Sequence, residues 1–171
     1  ALNVAISTTT CRMAHELFKA RAGAPMFPVD FKGSAQAVTA VIGGQVEYMV
    51  DTIASLRTAI VSKQVKALGV TSSRSSRLLP GVASLAEQGI PGYELVGWTL
   101  FYAPKGTPPE ALRVLSAAID KTVGRPEIQD KLMQLGIEPQ TKTREELKAF
   151  GDAEKDKWER LIKAAGIKPG T

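Results

Sequence analysis

Between Leu2 and Thr71 the apolar positions fall into two alternating rhythms. Short β-branched runs at Leu2 to Ile6, Met26 to Asp30, Val46 to Val50 and Lys66 to Thr71 predict strands. Between them, apolar residues return at helical spacing: Met13, Leu17 and Ala20, then Ala37, Val38, Val41 and Ile42, then Leu56, Ile60 and Val61. Such alternation is the pattern of βαβ units around a mainly parallel sheet, each helix lying over the sheet it connects.

From Thr71 to Gly92 the character changes. Ser72, Ser73, Ser75, Ser76, Pro80, Gly81, Gly89, Pro91 and Gly92 mark a winding connection, and Ser84-Leu85-Ala86-Glu87 predicts a capping box for one short helix inside it. Tyr93 to Ala103 then predicts a long strand closed by Pro104-Lys105-Gly106. Thr107-Pro108-Pro109-Glu110 predicts a second capping box, with proline at the first position of a helix that runs to about Val123. A short helix over Glu127 to Leu135, a strand over Ile137 to Thr141 and a last helix capped by Thr143-Arg144-Glu145-Glu146 complete the chain. On that last helix Leu147, Phe150, Trp158, Leu161, Ile162 and Ala165 form one apolar stripe, so it docks on a core. No internal repeat or low-complexity tract interrupts the pattern.

Composition narrows the classes. With 171 residues, 44% hydrophobic and 23% charged, the chain is in the globular range, where roughly 68–70% of the unfolded surface is buried. No apolar run approaches the ~18 residues that span a bilayer, and Ala1-Leu2-Asn3 shows no basic region ahead of an apolar stretch, so no signal peptide is expected in this sequence. The single cysteine, Cys11, excludes an internal disulfide. The net charge of +5 comes from 22 basic and 17 acidic residues, scattered along the chain. The densest group, Lys63, Lys66, Arg74 and Arg77, has no interleaved aromatic residues on which bases would stack, so nucleic acid is not an expected partner. A mildly positive field favours the arrival of small anions.

One histidine and one cysteine cannot build a structural zinc site, and no metal or cofactor is expected. Cys11 and His15, spaced i, i+4, can face the same way on one helix, but nothing nearby orients the imidazole. A packed thiol beside a partly exposed histidine is the structural reading, set against an enzyme that uses the pair. No Gly-x-Ser-x-Gly elbow, P-loop or Gly-x-Gly-x-x-Gly is present. The remaining chemistry lies where strands give way to helices, the ligand-binding edge of parallel sheets. Ser7, Thr8, Thr9 and Thr10 are hydroxyls at a helix start, able to grip a carboxylate with the free amides or to serve as an ordinary N-cap. At Lys32-Gly33-Ser34, glycine lets the backbone approach an anion and Ser34 can cap the helix. Asp51 and Thr52 follow an apolar strand, where the acid can accept from a ligand amine, hydroxyl or water or cap the next helix. Trp98 can wall a cleft or fill a core.

Several phrases occur in a telling order: Val29-Asp30-Phe31-Lys32-Gly33-Ser34, Gly43-Gly44-Gln45-Val46-Glu47, Met49-Val50-Asp51, Lys66-Ala67-Leu68-Gly69-Val70-Thr71 and Pro80-Gly81-Val82-Ala83-Ser84-Leu85-Ala86-Glu87-Gln88-Gly89-Ile90-Pro91-Gly92. Ala103-Pro104-Lys105-Gly106-Thr107-Pro108, Leu135-Gly136-Ile137-Glu138-Pro139 and Ala164-Ala165-Gly166-Ile167-Lys168 follow. In this order the chain resembles the Bug-type solute receptors of bacterial tripartite tricarboxylate transporters, which are nearly twice its length. The resemblance implies an α/β, class II periplasmic-binding fold in which residues 1–97 form one near-complete lobe, the second. Residues 98–171 would be the returning, carboxy-terminal part of the first lobe, without its amino-terminal half. It implies a periplasmic receptor that performs no chemistry. Such a receptor captures a small organic acid (a di- or tricarboxylate, an amino acid or an aromatic carboxylate) and delivers it to the membrane permease subunits.

By position, Lys32, Gly33 and Ser34 match the family's Tyr-Lys-Gly-Ser turn, Asp51 its acidic residue after the strand, and Thr9 and Thr10 small hydroxyl residues of its first loop. The chain departs from the family where that loop usually holds two glycines and a following histidine: Ala5 to Thr10 has no glycine, and Arg12 stands in the histidine's place. Arg12 in a first helical turn opposes the macrodipole, yet beside a cleft it can take a ligand carboxylate in bidentate fashion. Phe31 replaces the usual tyrosine. A half-built lobe exposes apolar surface and strand edges, so self-association is an expectation. A ligand-sensing regulatory domain of the same fold class, or a truncated relic that binds nothing, are the alternatives.

Overall fold

Strand β1 (Leu2–Ile6) forms the middle of a three-stranded parallel sheet, flanked by β2 (Met26–Asp30) and β3 (Tyr48–Met49), in a computed structural model that describes residues 2–164. The register pairs Leu2 with Met26 and Ile6 with Asp30 on one side, and Val4 with Tyr48 on the other. Strand alternation then sorts the two faces. Val4, Ile6 and Met26 are buried beneath Phe18 of helix α1 (Thr9–Ala22). Ala5 points the opposite way, against Ala37 and Ala40 of helix α2 (Ser34–Ile42), with Val46, Phe31 and Met49 closing the layer. Helix α3 (Ile53–Val61) packs beside α2.

Helix α1 has apolar residues on two sides and is covered on both. Met13, Ala14 and Leu17 turn from the sheet toward Leu95 and toward Trp158 and Leu161 of helix α6 (Arg144–Ala164). Burial of a side chain such as Met13 is worth about 2–3 kcal/mol, so this seam holds α6 to the sheet. α1 stops at Gly23, whose left-handed φ of 62° lets its N–H return to the Lys19 carbonyl at 3.0 Å. Helices α4 (Pro109–Val123) and α5 (Pro126–Gln134) bury no residue.

The first strands and all the principal helices lie where periodicity predicts them, and several expected elements do not form. The strand expected over Val46 to Val50 shrinks to Tyr48–Met49, because the Glu47 carboxylate takes the Asn3 N–H at 2.7 Å and so ends the ladder. Lys66 to Thr71 contributes only the bridge between Val70 and Ser84; the Leu68 carbonyl is satisfied instead by the Gln88 amide at 2.9 Å. The Ser84–Glu87 capping box closes reciprocally at 2.8 and 3.1 Å, but Gly89 and Pro91 leave it a single turn rather than a helix. Tyr93 to Ala103 forms no strand. Tyr93 and Leu95 are buried, but beyond them no described strand runs alongside to complete a ladder. Ile137 to Thr141 lacks a partner for the same reason. Thr107 does not cap α4: its hydroxyl donates to the Pro104 carbonyl at 2.8 Å, and Pro108 takes the capping position with Pro109 at the start of the helix. The Thr143–Glu146 box does form, at 2.7 and 3.2 Å. Ala165, the last residue of the expected stripe, and residues 165–168 of the last quoted phrase lie outside the described residues.

Candidate site at the carboxyl edge of the sheet

The chain passes from β1 to β2 on one side and then crosses β1 to reach β3 on the other, so α1 and α2 leave the sheet on opposite faces. A crevice opens at such a switch point, and parallel α/β sheets bind ligands there. Each of the three junctions singled out in the sequence lies along this edge.

At the first junction Thr8 is the N-cap of α1; its hydroxyl accepts from the Cys11 N–H at 3.2 Å and lies 3.0 Å from Cys11 Sγ. Ser7 donates to Asp51 Oδ2 at 2.8 Å and lies 3.2 Å from Cys11 Sγ. A hydroxyl has one proton, and a carboxylate is a stronger acceptor than a thiol sulfur, so Asp51 takes it. The hydroxyls of Ser7 and Thr8 are therefore committed within the protein. Thr9 and Thr10 stand exposed in the first turn of α1, where helix amides lack intrahelical acceptors.

At the third junction Asp51 turns its other oxygen to the Thr52 N–H at 2.7 Å, while Thr52 caps α3 by accepting from the Ser55 N–H at 3.2 Å. Ser7 and Asp51 thus join the ends of β1 and β3 across the switch point. At the second junction Gly33, not Ser34, is the N-cap of α2, at φ 134°, a backbone conformation that side-chain-bearing residues rarely adopt. Ser34 is the first helical residue and makes no side-chain cap, so the expectation of a serine cap is corrected. The Lys32 N–H reaches Gln36 Oε1 at 3.2 Å, and its exposed ammonium makes no ion pair among the described residues. Phe31 packs its ring into the alanine layer, which needs no hydroxyl.

Arg12 is not waiting open for a ligand. Its guanidinium pairs with Asp30, the last residue of β2 and the register partner of Ile6. Asp30 was not among the residues singled out, although it obeys the rule that picked Asp51: an acid where an apolar strand ends.

The Cys11 and His15 pair does not assemble. Cys11 is buried against Ser7 and Thr8, whereas His15 is fully buried with Nδ1 3.3 Å from the Tyr48 hydroxyl. The expected partly exposed histidine is thus an interior one. Its Nε2 has no hydrogen-bond partner among the described residues, and the Glu16 carboxylate stands 4.0 Å away. Burial lowers the His15 pKa, and Lys19 and Arg12 add to that against the opposing pull of Glu16. Tyr48, whose pKa is pushed up to about 12 by burial, keeps its proton and donates a hydrogen bond to Met26 Sδ at 2.9 Å. Trp98 is 40% exposed and so does not fill the core; its Nε1 donates to Glu154 at 2.8 Å. Among the described residues no group of three His, Cys, Asp or Glu side chains stands where it can hold a metal ion, and no helix is long and apolar enough to cross a membrane.

Residues 4–167 match the family described as tripartite tricarboxylate transporter family receptor. The chain is 37% identical over 155 residues to the UPF0065 protein in the tcbD-tcbE intergenic region of Pseudomonas sp. (strain P51), a match that takes in 90% of this chain and 46% of that protein. Among solved structures it is similar to R. palustris Rpa4515 with adipate (29% identity, TM-score 0.79, 96% of this chain and 56% of that one). It is also similar to the periplasmic binding protein BugD (28%, TM-score 0.74, 98% and 57%). A third likeness is to MatC (Rpa3494) from Rhodopseudomonas palustris with bound malate (28%, TM-score 0.72, 94% and 56%). The chain spans about half the length of these relatives.

Proposed function

The chain belongs to the receptor family of the tripartite tricarboxylate transporters, a family of solute-binding proteins rather than enzymes with a periplasmic-binding α/β fold, and on that premise we propose that it is a periplasmic receptor for a small organic acid. The acid is handed to membrane permease subunits, and no cofactor takes part. The observation that carries this reading is the match along residues 4–167, together with neighbours of the same fold that hold adipate and malate. The carboxyl edge supplies suitable chemistry: free first-turn amides and hydroxyls at Thr9 and Thr10, the Arg12 guanidinium, the Lys32 ammonium, the open backbone at Gly33 and Ser34, and the Asp51 acceptor braced by Ser7 and Thr52, with Thr8 capping α1 beside it.

In this reading residues 1–97 are the second lobe of the receptor and residues 98–171 the returning part of the first. The second lobe presents the edge to the ligand and the returning part supplies the surface that faces it. Phe101 and Tyr102, 77% and 78% exposed, and the unburied face of α4 are then surface on which copies of the isolated chain associate.

Calorimetric titration of the chain with di- and tricarboxylates, amino acids and aromatic acids tests the proposal. Saturable binding that weakens when Thr10 and Arg12 are replaced by alanine supports it. Flat titrations across the whole panel sink it for this chain.

A further inference from the structure

The charged side chains along the carboxyl edge sum to zero: Arg12 and Lys32 are positive, Asp30 and Asp51 negative. A site that used all of its positive charge on a trianion would leave the arginine free for it. Here the Arg12 guanidinium, only 28% exposed, is paired with a carboxylate from the end of the neighbouring strand. Asp30 is itself 71% exposed, so its charge faces solvent beside the more covered guanidinium.

We propose that Asp30 is a specificity-determining residue of this edge: paired with Arg12, it holds the site near electroneutrality and favours singly and doubly charged acids over tricarboxylates. The inference rests on the acid-binding reading of this edge. Arg12 still has donors to give, because a guanidinium carries five N–H groups and one nitrogen is recorded on Asp30. An incoming carboxylate therefore shares the fork with Asp30, and each further negative charge on the solute meets the field of Asp30 and Asp51. The repulsion is partly screened at this exposure, and it scales with the charge of the solute rather than with its size.

That scaling separates the proposal from a purely structural role. Butyrate, glutarate and tricarballylate carry one, two and three carboxylates on one short backbone, and their affinities for the chain can be followed by calorimetry or ligand-observed NMR. The wild-type chain binds glutarate at least as tightly as tricarballylate at low salt. Asp30→Asn raises the affinity for tricarballylate relative to butyrate by about tenfold or more, with glutarate between them, as expected for about three- to tenfold per unit of ligand charge. Asp30→Glu keeps the wild-type ranking. Asp30→Ser, which also removes the charge at this exposed position, repeats the result of the asparagine variant. A tricarballylate-to-butyrate ratio that does not change, or falls, in both charge-removing variants overturns the inference while leaving the acid-binding reading in place. Failure of the wild-type chain to bind any of the acids overturns both.

Discussion

The indole N–H groups of Trp98 and Trp158 end on the same atom, Glu154 Oε2, at 2.8 and 3.2 Å, while Lys157 pairs with the other oxygen. This buried carboxylate ties the 93–103 segment to α6, and Phe150 meets the Trp98 ring edge-on at 5.7 Å. Burial alone would push the Glu154 carboxyl up, but the hydrogen bonds from Lys157 and Trp98, the charge of Lys157 and the Trp158 indole outweigh it and hold the group below the ordinary carboxylate range. A folded-state pKa below the unfolded one contributes stability that is present above the ordinary value of 4.5 and lost as pH falls through the lowered one. Glu154→Ala strands two indole donors and is expected to cost about 2–4 kcal/mol in urea unfolding, with a red shift in tryptophan emission. Glu154→Gln, which keeps an acceptor, costs less than the alanine variant.

His15 acts on the same acid side, at higher pH. Its folded-state pKa lies below the ordinary 6.5, so between the two values the unfolded chain binds the proton and the folded chain does not. Stability therefore falls as pH drops below 6.5 and is fully present above it. Thermal melts from about pH 7.5 to about pH 5 should show this decline, and His15→Phe should flatten it in that window. Equal slopes in the two proteins would remove His15 as its origin.

The Ser7–Asp51 hydrogen bond joins residues 44 positions apart and closes the switch point. Ser7→Ala and Asp51→Asn are expected to couple by about 1–2 kcal/mol in a double-mutant cycle of urea denaturation. Additive effects would mean that the two side chains do not support one another.

Gly33 is strained for any other residue by its φ of 134°, yet an added Cβ there meets nothing within 4 Å. Gly33→Ala should therefore destabilise by about 1–3 kcal/mol through backbone strain alone. A compensating truncation of a neighbouring side chain gives no rescue, and recovery by such a truncation would point to crowding instead.

Leu115 lies on the unburied face of α4 and is 54% exposed. Light scattering of the isolated chain is expected to report assemblies that dissociate in Leu115→Glu. A monodisperse monomer in the wild-type protein would count against association through this face.

Helix α1 could be placed from the sequence because its apolar spacing and the hydroxyls at its start are local signals, and apolar spacing likewise places α2, α3 and α6. The Tyr93–Ala103 stretch has the composition of a strand, but a strand needs a partner edge, and composition carries no information about the neighbour. Thr107 has the spelling of a capping box, and the two prolines after it take over its geometry. At the site, Ser7, Asp51 and Thr52 stood out because each ends a strand or begins a helix; that Ser7 and Asp51 touch follows only from the order of the strands. Asp30 was legible by the same rule and was passed over. Glu154 was not legible at all: in sequence it is one more acid on a charged helix, and only packing brings both indoles to it.

On the α2 side of the sheet the contacts are made by Ala5, Ala37 and Ala40, whereas the α1 side is filled by Val4, Ile6, Met26 and Phe18. A layer of methyl groups lets a helix approach as closely as its backbone permits, so it has no slack to absorb a larger side chain. Position 5 therefore acts as a spacer: enlarging it by a methyl group or two would lift α2 and carry Gly33 and Ser34 away from Ser7. The gap between two walls of the crevice would widen without any change to a residue that lines it.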